Sequence, residues 1–272
     1  MAIALLGGQI ANTQGVNTGG STGTTVTAAG SANTKGSWVE IEDSTAYRAA
    51  GLWLLVRSGA QSGDFLVDVS IGAAAAEQTI ISNILVMRQA LRWGIAPIWV
   101  PLEIPAGSRI AVRCQCSTAN GSLGVEVSLV SGSPLMGAGM QVATTYGAST
   151  ADSGGTGVDP GGVAHTKGSY SELTASTTAP IRWLIVCVSN RANTAGATSA
   201  WLLDIAIGAA ASEQVIIPNL QMVADSSFDM PMPSIFAFPV DIPTGTRIAA
   251  RTQSDTTDAT DRLLDVVVIG VG

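Results

Sequence analysis

The chain has 272 residues, of which 46% are hydrophobic and only 12% charged, with a formal net charge of −7. That length suffices for one large domain or two ordinary ones with buried cores, and a mean hydropathy of +0.36 excludes a disordered chain, which needs low hydrophobicity and high charge. The 13 Lys and Arg residues are scattered singly, giving no clustered cationic face for free nucleic acid; no apolar run approaches the roughly 18 residues of a membrane span, and MAIALLGGQIAN lacks the cationic start of a secretory signal.

In chain order the first half reads as short strands separated by turns. A Thr-rich segment near Thr24 offers a lead strand, WVEIE from Trp38 alternates apolar and polar, LWLLV from Leu52 is continuously apolar, and FLVDVSI from Phe65 is mixed. AAAAEQ (Ala73 to Gln78) is the one helix-prone stretch and is expected to form a single helical turn. TIISNILV from Thr79, IWVPLEI near Ile98, RIAVRCQC from Arg109 and GVEVSLV from Gly124 complete about eight strands at spacings near ten residues, the pattern of an antiparallel sandwich. Pro105 presets φ and Gly107 tolerates the positive φ of a type II turn before the RIAVR strand. Eight strands per unit favour a jelly roll over an immunoglobulin sandwich.

The second half repeats the first. QIANTQG from Gln9 returns as QVATTYG from Gln141, TKGSW from Thr34 as TKGSY from Thr166, and GLWLLV from Gly51 as IRWLIV from Ile181. DVSIGAAAAEQTIISNI from Asp68 returns as DIAIGAAASEQVIIPNL from Asp204 with 11 of 17 positions identical, and PLEIPAGSRIAVR from Pro101 as PVDIPTGTRIAAR from Pro239 with 8 of 13. Five blocks in one order describe a duplicated unit edited in its loops. The expected fold is all-β: two tandem antiparallel jelly-roll-like sandwich domains, residues 1–132 and 133–272, each with a Gly-rich leader. The leaders, 11–33 and 143–165, are so poor in large side chains that they are expected to lie against a neighbouring molecule.

The duplication gives an internal control for chemistry, since a residue present in both copies serves the fold while an unpaired one is available for function. His165, the single His, has Asn33 as its counterpart and no fixed acidic partner, so it reads as a solvated or capping side chain. Asp255, Asp258 and Asp261 have no acidic counterparts and lack the Asp/Gly pattern of an EF-hand loop. The Gly-rich GGTG and DPGG lack the strand and helix a phosphate cradle requires. Cys114, Cys116 and Cys187 have Thr252, Ser254 and Arg57 in the other copy, which makes them buried free thiols.

The paired polar set is Lys35/Lys167, Asp68/Asp204, Glu77/Glu213, Asn83/Asn219, Arg109/Arg247 and Arg113/Arg251. Asp68 and Glu77 could form a carboxylate pair for acid/base work; the favoured reading makes these residues structural, with the Arg and Glu members holding strand ends or bridging subunits. Trp38/Tyr170, Trp53/Trp183 and Phe65/Trp201 keep aromatic character and read as core. Trp93 and Trp99 face Pro231 and Ala237, so they are the candidates for partner binding or for stacking on a sugar ring.

TTVTAAGSANTKGSWVEI, the SIGAAAAEQTII block and the IPAGSRIAVR turn resemble modules of accessory structural proteins of tailed bacteriophages and prophages, across nearly the whole chain. The resemblance implies a virion component without enzymatic role or cofactor, made in the host cytoplasm: a jelly-roll decoration or head-fibre protein of the capsid. Its expected partners are itself, as a homotrimer presenting six pseudo-equivalent domains, and other virion proteins, with no free nucleic acid or membrane. A tail or baseplate component and a host-glycan adhesin are the alternatives. The copies share no nucleophile, base or metal set, so the expectation at this stage is a non-enzyme.

Overall fold

The computed structural model describes residues 4–5, 9–16, 23–58, 63–86, 95–131, 140–190, 199–224, 235–256 and 263–272. Among these there is no helix; the chain is all-β and antiparallel, two jelly-roll sandwiches written one after the other. The boundary expected at 132/133 lies outside the described residues.

The first half contains β1 (Ala4–Leu5), β2 (Gln9–Gln14), β3 (Thr24–Thr27), β4 (Val39–Glu42), β5 (Gly51–Ser58), β6 (Phe65–Ile71), β7 (Gln78–Val86), β8 (Ile95–Val100), β9 (Ile110–Cys116) and β10 (Ser122–Ser131). Sheet I runs β1-β2-β10-β5-β8 with β3 also on β10, and sheet II runs β4-β9-β6-β7. The second half contains β11 (Ala143–Tyr146), β12 (Thr156–Val158), β13 (Ser171–Thr174), β14 (Ile181–Asn190), β15 (Ser199–Ile207), β16 (Gln214–Ala224), β17 (Ile235–Ile242), β18 (Ile248–Ser254) and β19 (Leu264–Val271). Sheet III, β11-β19-β14-β17 with β12 on β19, repeats sheet I, and sheet IV, β13-β18-β15-β16, repeats sheet II. From β4 onward most successive strands lie in opposite sheets, so nearly every pairing is non-local, as in a double Greek key.

Side chains alternate across each strand and sort the sequence into faces. In β6, Phe65, Val67 and Val69 turn into the first sandwich while Leu66, Asp68 and Ser70 turn away; in β15, Trp201, Leu203 and Ile205 do the same in the second. The described strands of the Thr-rich leaders are held by their own sheet, so the order expected from a neighbouring molecule is supplied there within the chain. β2 and β3 both pair with β10, and β11 and β12 both pair with β19, so the described parts of each leader are held by backbone hydrogen bonds to their own sheet.

The expected helical turn at Ala73 to Gln78 is absent. Ala75 and its counterpart Ala211 sit at φ 65° and 64°, a left-handed conformation that interrupts a right-handed helix, and the chain passes through a tight turn into β7 and β16. The Pro-x-Gly turns form as expected, with Gly107 and Gly245 at φ 75° and 81°.

The two sandwiches are also packed on each other. On β14, Ile185 and Cys187 point away from their own core, as do Val267, Ile269 and Val271 on β19, and all five are fully buried in the hydrophobic cluster of the first half. They meet the outward face of sheet II, where Leu66 and Leu85 are buried and β7 runs against β11, β14 and β19. Polar contacts frame this interface: Thr145 Oγ1 donates to the Ser82 carbonyl, Gln115 Nε2 donates to the Thr150 carbonyl at 2.9 Å and to Ser153 Oγ at 3.0 Å, and Ser189 Oγ donates to Asp64 Oδ2 at 2.6 Å.

Burial pushes the thiols of Cys114 and Cys187 up to about 12, so neither supplies thiolate at neutral pH. A thiol reagent should therefore leave both unmodified in the native protein. In an Ile269→Glu variant, which sets a carboxylate into the apolar contact, Cys187 should react well before Cys114. Rapid labelling of Cys187 in the unaltered chain, read by peptide mass, would contradict the packed interface.

Candidate functional site

The paired polar residues converge on two constellations per half. Around Asp68, Lys35 Nζ donates to Oδ1 at 2.7 Å, Arg113 Nε donates to Oδ2 at 2.9 Å, and the backbone N–H of Asn83 donates to Oδ1 at 2.8 Å. Lys35 also reaches Asn83 Oδ1 at 2.8 Å and the Leu66 carbonyl at 3.2 Å. The Arg113 guanidinium lies 4.3 Å from the centre of the Trp38 ring. The second half rebuilds this around Asp204 with Lys167 at 2.8 Å, Arg251 at 3.0 Å and the Asn219 N–H at 2.9 Å, and Arg251 lies over Tyr170 at 4.6 Å.

The reason for Asn at 83 and 219 is local geometry. Both sit at positive φ, 52° and 54°, where the pairing of β6 with β7 and of β15 with β16 slips register. Asn tolerates this conformation better than other side chains, and the N–H that the bulge removes from the ladder is taken by the Asp. Trp38 and Tyr170, expected in the core, instead cover the cations on the outward faces of sheets II and IV.

The second constellation is an arginine fork. Arg109 Nε pairs with Glu40 at 2.7 Å, while Nη1 reaches Glu77 at 3.2 Å and the Gly72 carbonyl at 3.2 Å. Arg247 does the same with Glu172 at 2.7 Å, Glu213 at 3.0 Å and the Gly208 carbonyl at 3.2 Å. Asp68 and Glu77 therefore belong to separate ion networks, each with its own cation. The pKa of Glu77 is lowered, first by its own backbone N–H and then, against some burial, by the Ala75 N–H and Arg109.

His165 sits at φ 59° and donates its backbone N–H to the Ser254 carbonyl at 2.8 Å; Asn33, at φ 57°, does the same to Cys116 at 2.7 Å. The position is a left-handed turn in both copies. Asp258 and Asp261 lie outside the described residues, as does Trp93. Among the described residues no three His, Cys, Asp or Glu side chains gather as a metal site.

Trp99 is found on the outward face of sheet I, in a setting the sequence reading missed. Its register partner across β5 and β8 is Trp53, and the two rings are 5.2 Å apart and tilted by 46°. Trp99 lies flat over Gly51, where a Cβ would stand 2.4 Å from the ring atom Cη2, so any side chain at 51 would lift the indole. Trp99 is 9% exposed but Trp53 is 36% exposed, although Trp53 was assigned to the core. The alternation of β5 explains the correction: Leu52, Leu54 and Val56 take the inward positions, leaving Trp53, Leu55 and Arg57 outside, with Glu126 opposite Leu55 on β10. In LWLLV, a run with no polar residue, sequence alone cannot tell which parity faces in.

No protein-family model and no curated protein matches the chain. Among solved structures it is similar to PNGF-II, at 7% identity and TM-score 0.41, covering 96% of this chain but 65% of that one, so the chain spans under two thirds of it. It is also similar to peptide-N(4)-(N-acetyl-β-D-glucosaminyl)asparagine amidase, at 13% identity and TM-score 0.40 with 96% of each chain covered. The tandem CBM22 domains of Paenibacillus barcinonensis Xyn10C follow at 14% identity and TM-score 0.28, covering 99% of this chain and 92% of that one. These are likenesses of chain path. The expectation of a non-enzyme is nevertheless corrected: an amidase is among the similar structures, and a shared chain path decides neither for nor against activity. The physical reason is plain: a catalytic set need occur only once, in one copy or between two, so residues missing from the paired set are no ground for excluding catalysis.

Asp204 gives the pH dependence its sign. Burial raises its pKa, but the bonds from Lys167, the Asn219 N–H and Arg251 outweigh this and hold it below the usual carboxylate range. Its contribution to stability is then complete above that range and is lost as pH falls through it. Replacing Asp68 or Asp204 by Ala strands two cations and a bulge N–H; each change should cost about 3–5 kcal/mol in urea unfolding at pH 7, and the Asp204→Ala variant should show a shallower loss of stability toward pH 3. A loss below about 1 kcal/mol, the level of an exposed ion pair, would contradict the structural role.

Proposed function

We propose that this chain is a structural protein of a tailed-phage particle, a capsid decoration or head-fibre protein, working through protein contacts made by the outward faces of its sheets. One observation carries the reading: in the second half, the face corresponding to the Trp53 surface is already a protein-docking face, since Ile185, Cys187 and Ile269 are buried against sheet II. A module that packs one copy of a face against protein has the shape to pack the other likewise. Low charge supports this, because such a surface depends on being covered. The homotrimer and virion location expected from the resemblance belong to the same proposal. Purified particles should contain the chain at fixed stoichiometry, retained through washing; its absence would reject the reading.

A second reading, a glycan-binding adhesin on the particle, is favoured by the Trp53–Trp99 pair, since tilted indoles on the outward face of sheet I form a platform on which a sugar ring can stack. Trp53→Ala should then abolish glycan binding, measured on immobilised oligosaccharides, while leaving the melting temperature nearly unchanged. Equal binding by the variant and the unaltered chain would remove this reading.

A further inference from the structure

The contact between the halves is head to tail. Sheet II of the first half meets sheet III of the second, and these are not equivalent sheets: III repeats I, and II repeats IV. Each chain therefore carries one further copy of both sides of the contact, the outward face of sheet I and the outward face of sheet IV.

The residues on these two faces follow the internal contact in part: of the five buried from sheet III, Ile185 keeps an apolar counterpart in Leu55, while Cys187, Val267, Ile269 and Val271 correspond to Arg57, Gly124, Glu126 and Ser128. Trp183, at the edge of the internal interface, has Trp53 as its counterpart on sheet I. Leu66, buried on sheet II, has Leu202 on sheet IV, where it is half-buried. Gln115 gives both its amide hydrogens across the internal contact. Its counterpart is again a glutamine, Gln253, whose half-buried side chain has no hydrogen-bond partner among the described residues.

One pair changes on both sides at once. Inside the chain Leu85 meets Cys187, with a hydrogen bond between the Leu85 backbone and the thiol. The corresponding residues on the outer faces are Gln221 and Arg57, a polar pair in place of an apolar one. Exposed large apolar side chains also fall one to each face, Trp53 on sheet I and Val223 on sheet IV. A single altered residue would have looked like a cap that stops stacking; a matched exchange looks like a second contact with its own chemistry.

We propose that the outward face of sheet I docks on the outward face of sheet IV of a second copy of this chain, repeating between chains the contact that sheets II and III make within one. Arg57 then lies against Gln221 of the next chain, and Glu126, standing where sheet III has Ile269, makes this contact wetter and more readily reversed than the internal one. Such a heterologous contact closes into a ring or runs on as a filament according to the rotation at each step; the trimer is the ring that closes after three. The proposal deepens the reading of the chain as a protein that works through protein contacts, and rests on it.

Two variants test it, each changing an exposed or part-exposed residue: Trp53→Lys blocks the sheet I face and Gln221→Lys sets a cation against Arg57 on the sheet IV face. The unaltered chain should show association that grows with concentration in sedimentation velocity, and each variant alone should be weakened by more than about tenfold. Mixed one to one, the variants should form a discrete dimer, because each retains the face the other has lost. Circular dichroism melts within a few degrees of the unaltered chain exclude misfolding. Association lost in Trp53→Lys but intact in Gln221→Lys would show sheet I meeting sheet I and overturn the proposal, as would variants that both associate normally. An unaltered chain that stays monomeric at all concentrations also overturns it, while particle stoichiometry separately decides the broader reading.

Discussion

A two-sheet sandwich buries one face of each sheet and leaves the other two to be covered by something else. In most β-sandwich proteins those outer faces alternate to polar residues and water suffices. Here too few charged residues exist to dress four outer faces, and the chain covers two of them with each other. The apolar residues of β14 and β19 that point away from the second core are not surface errors; they are the other half of an interface whose first half is sheet II. The extended apolar runs WLIVCV and VVVIGV follow from this, since a stretch of strand buried on both faces favours apolar side chains at every position.

That arrangement puts a demand on sheet II, which must present an apolar face to sheet III while its neighbouring strands slip register. The slip exposes a backbone N–H at Asn83, and a buried donor without an acceptor costs about as much as a hydrogen bond is worth. Asp68 accepts it, and Lys35 and Arg113 neutralise the acid; the price is three charged groups held close to the interface. Lys35 shows the tension directly, since burial lowers its pKa against the opposing pull of Asp68. The same solution in the second half, on a face that no other sheet covers among the described residues, shows that the bulge and its ion network belong to the jelly roll itself.

Much of this fold was legible in the sequence. Short apolar-rich runs bounded by turn residues placed the strands from Val39 onward, the five recurring blocks gave the duplication, and the Pro-x-Gly turns told where β9 and β18 begin. What could not be read follows from two physical causes. In LWLLV and WLIVCV hydrophobicity has no period, so the inward and outward sets are decided by tertiary packing, and Trp53 was assigned to the wrong side for that reason. AAAAEQ has helical propensity, but only a few residues separate β6 from β7, and hairpin closure overrides the weak preference of alanine. Of the candidate site, Trp99 was found because its counterpart is Ala237; Trp53 was missed because its counterpart is also Trp, and identity of type between copies concealed a difference in surroundings.

That last point changes what a duplicated position means. Residues retained in both copies were expected to serve the scaffold, and the Asp and Arg networks do. Trp53/Trp183 and Gln115/Gln253 are retained as well, yet one member of each pair faces a partner inside the chain and the other faces outward. Retention of residue type in such a pair is therefore no sign of core packing. In a head-to-tail duplication each copy keeps the two surfaces that made the contact, one of them spent inside the chain and one left at its end. The residues that differ between copies, Arg57 for Cys187, Gln221 for Leu85, Gly124 for Val267, Glu126 for Ile269 and Ser128 for Val271, mark where the contact inside the chain and the outer faces part company: a contact closed within the chain can be dry, whereas a face that meets water cannot.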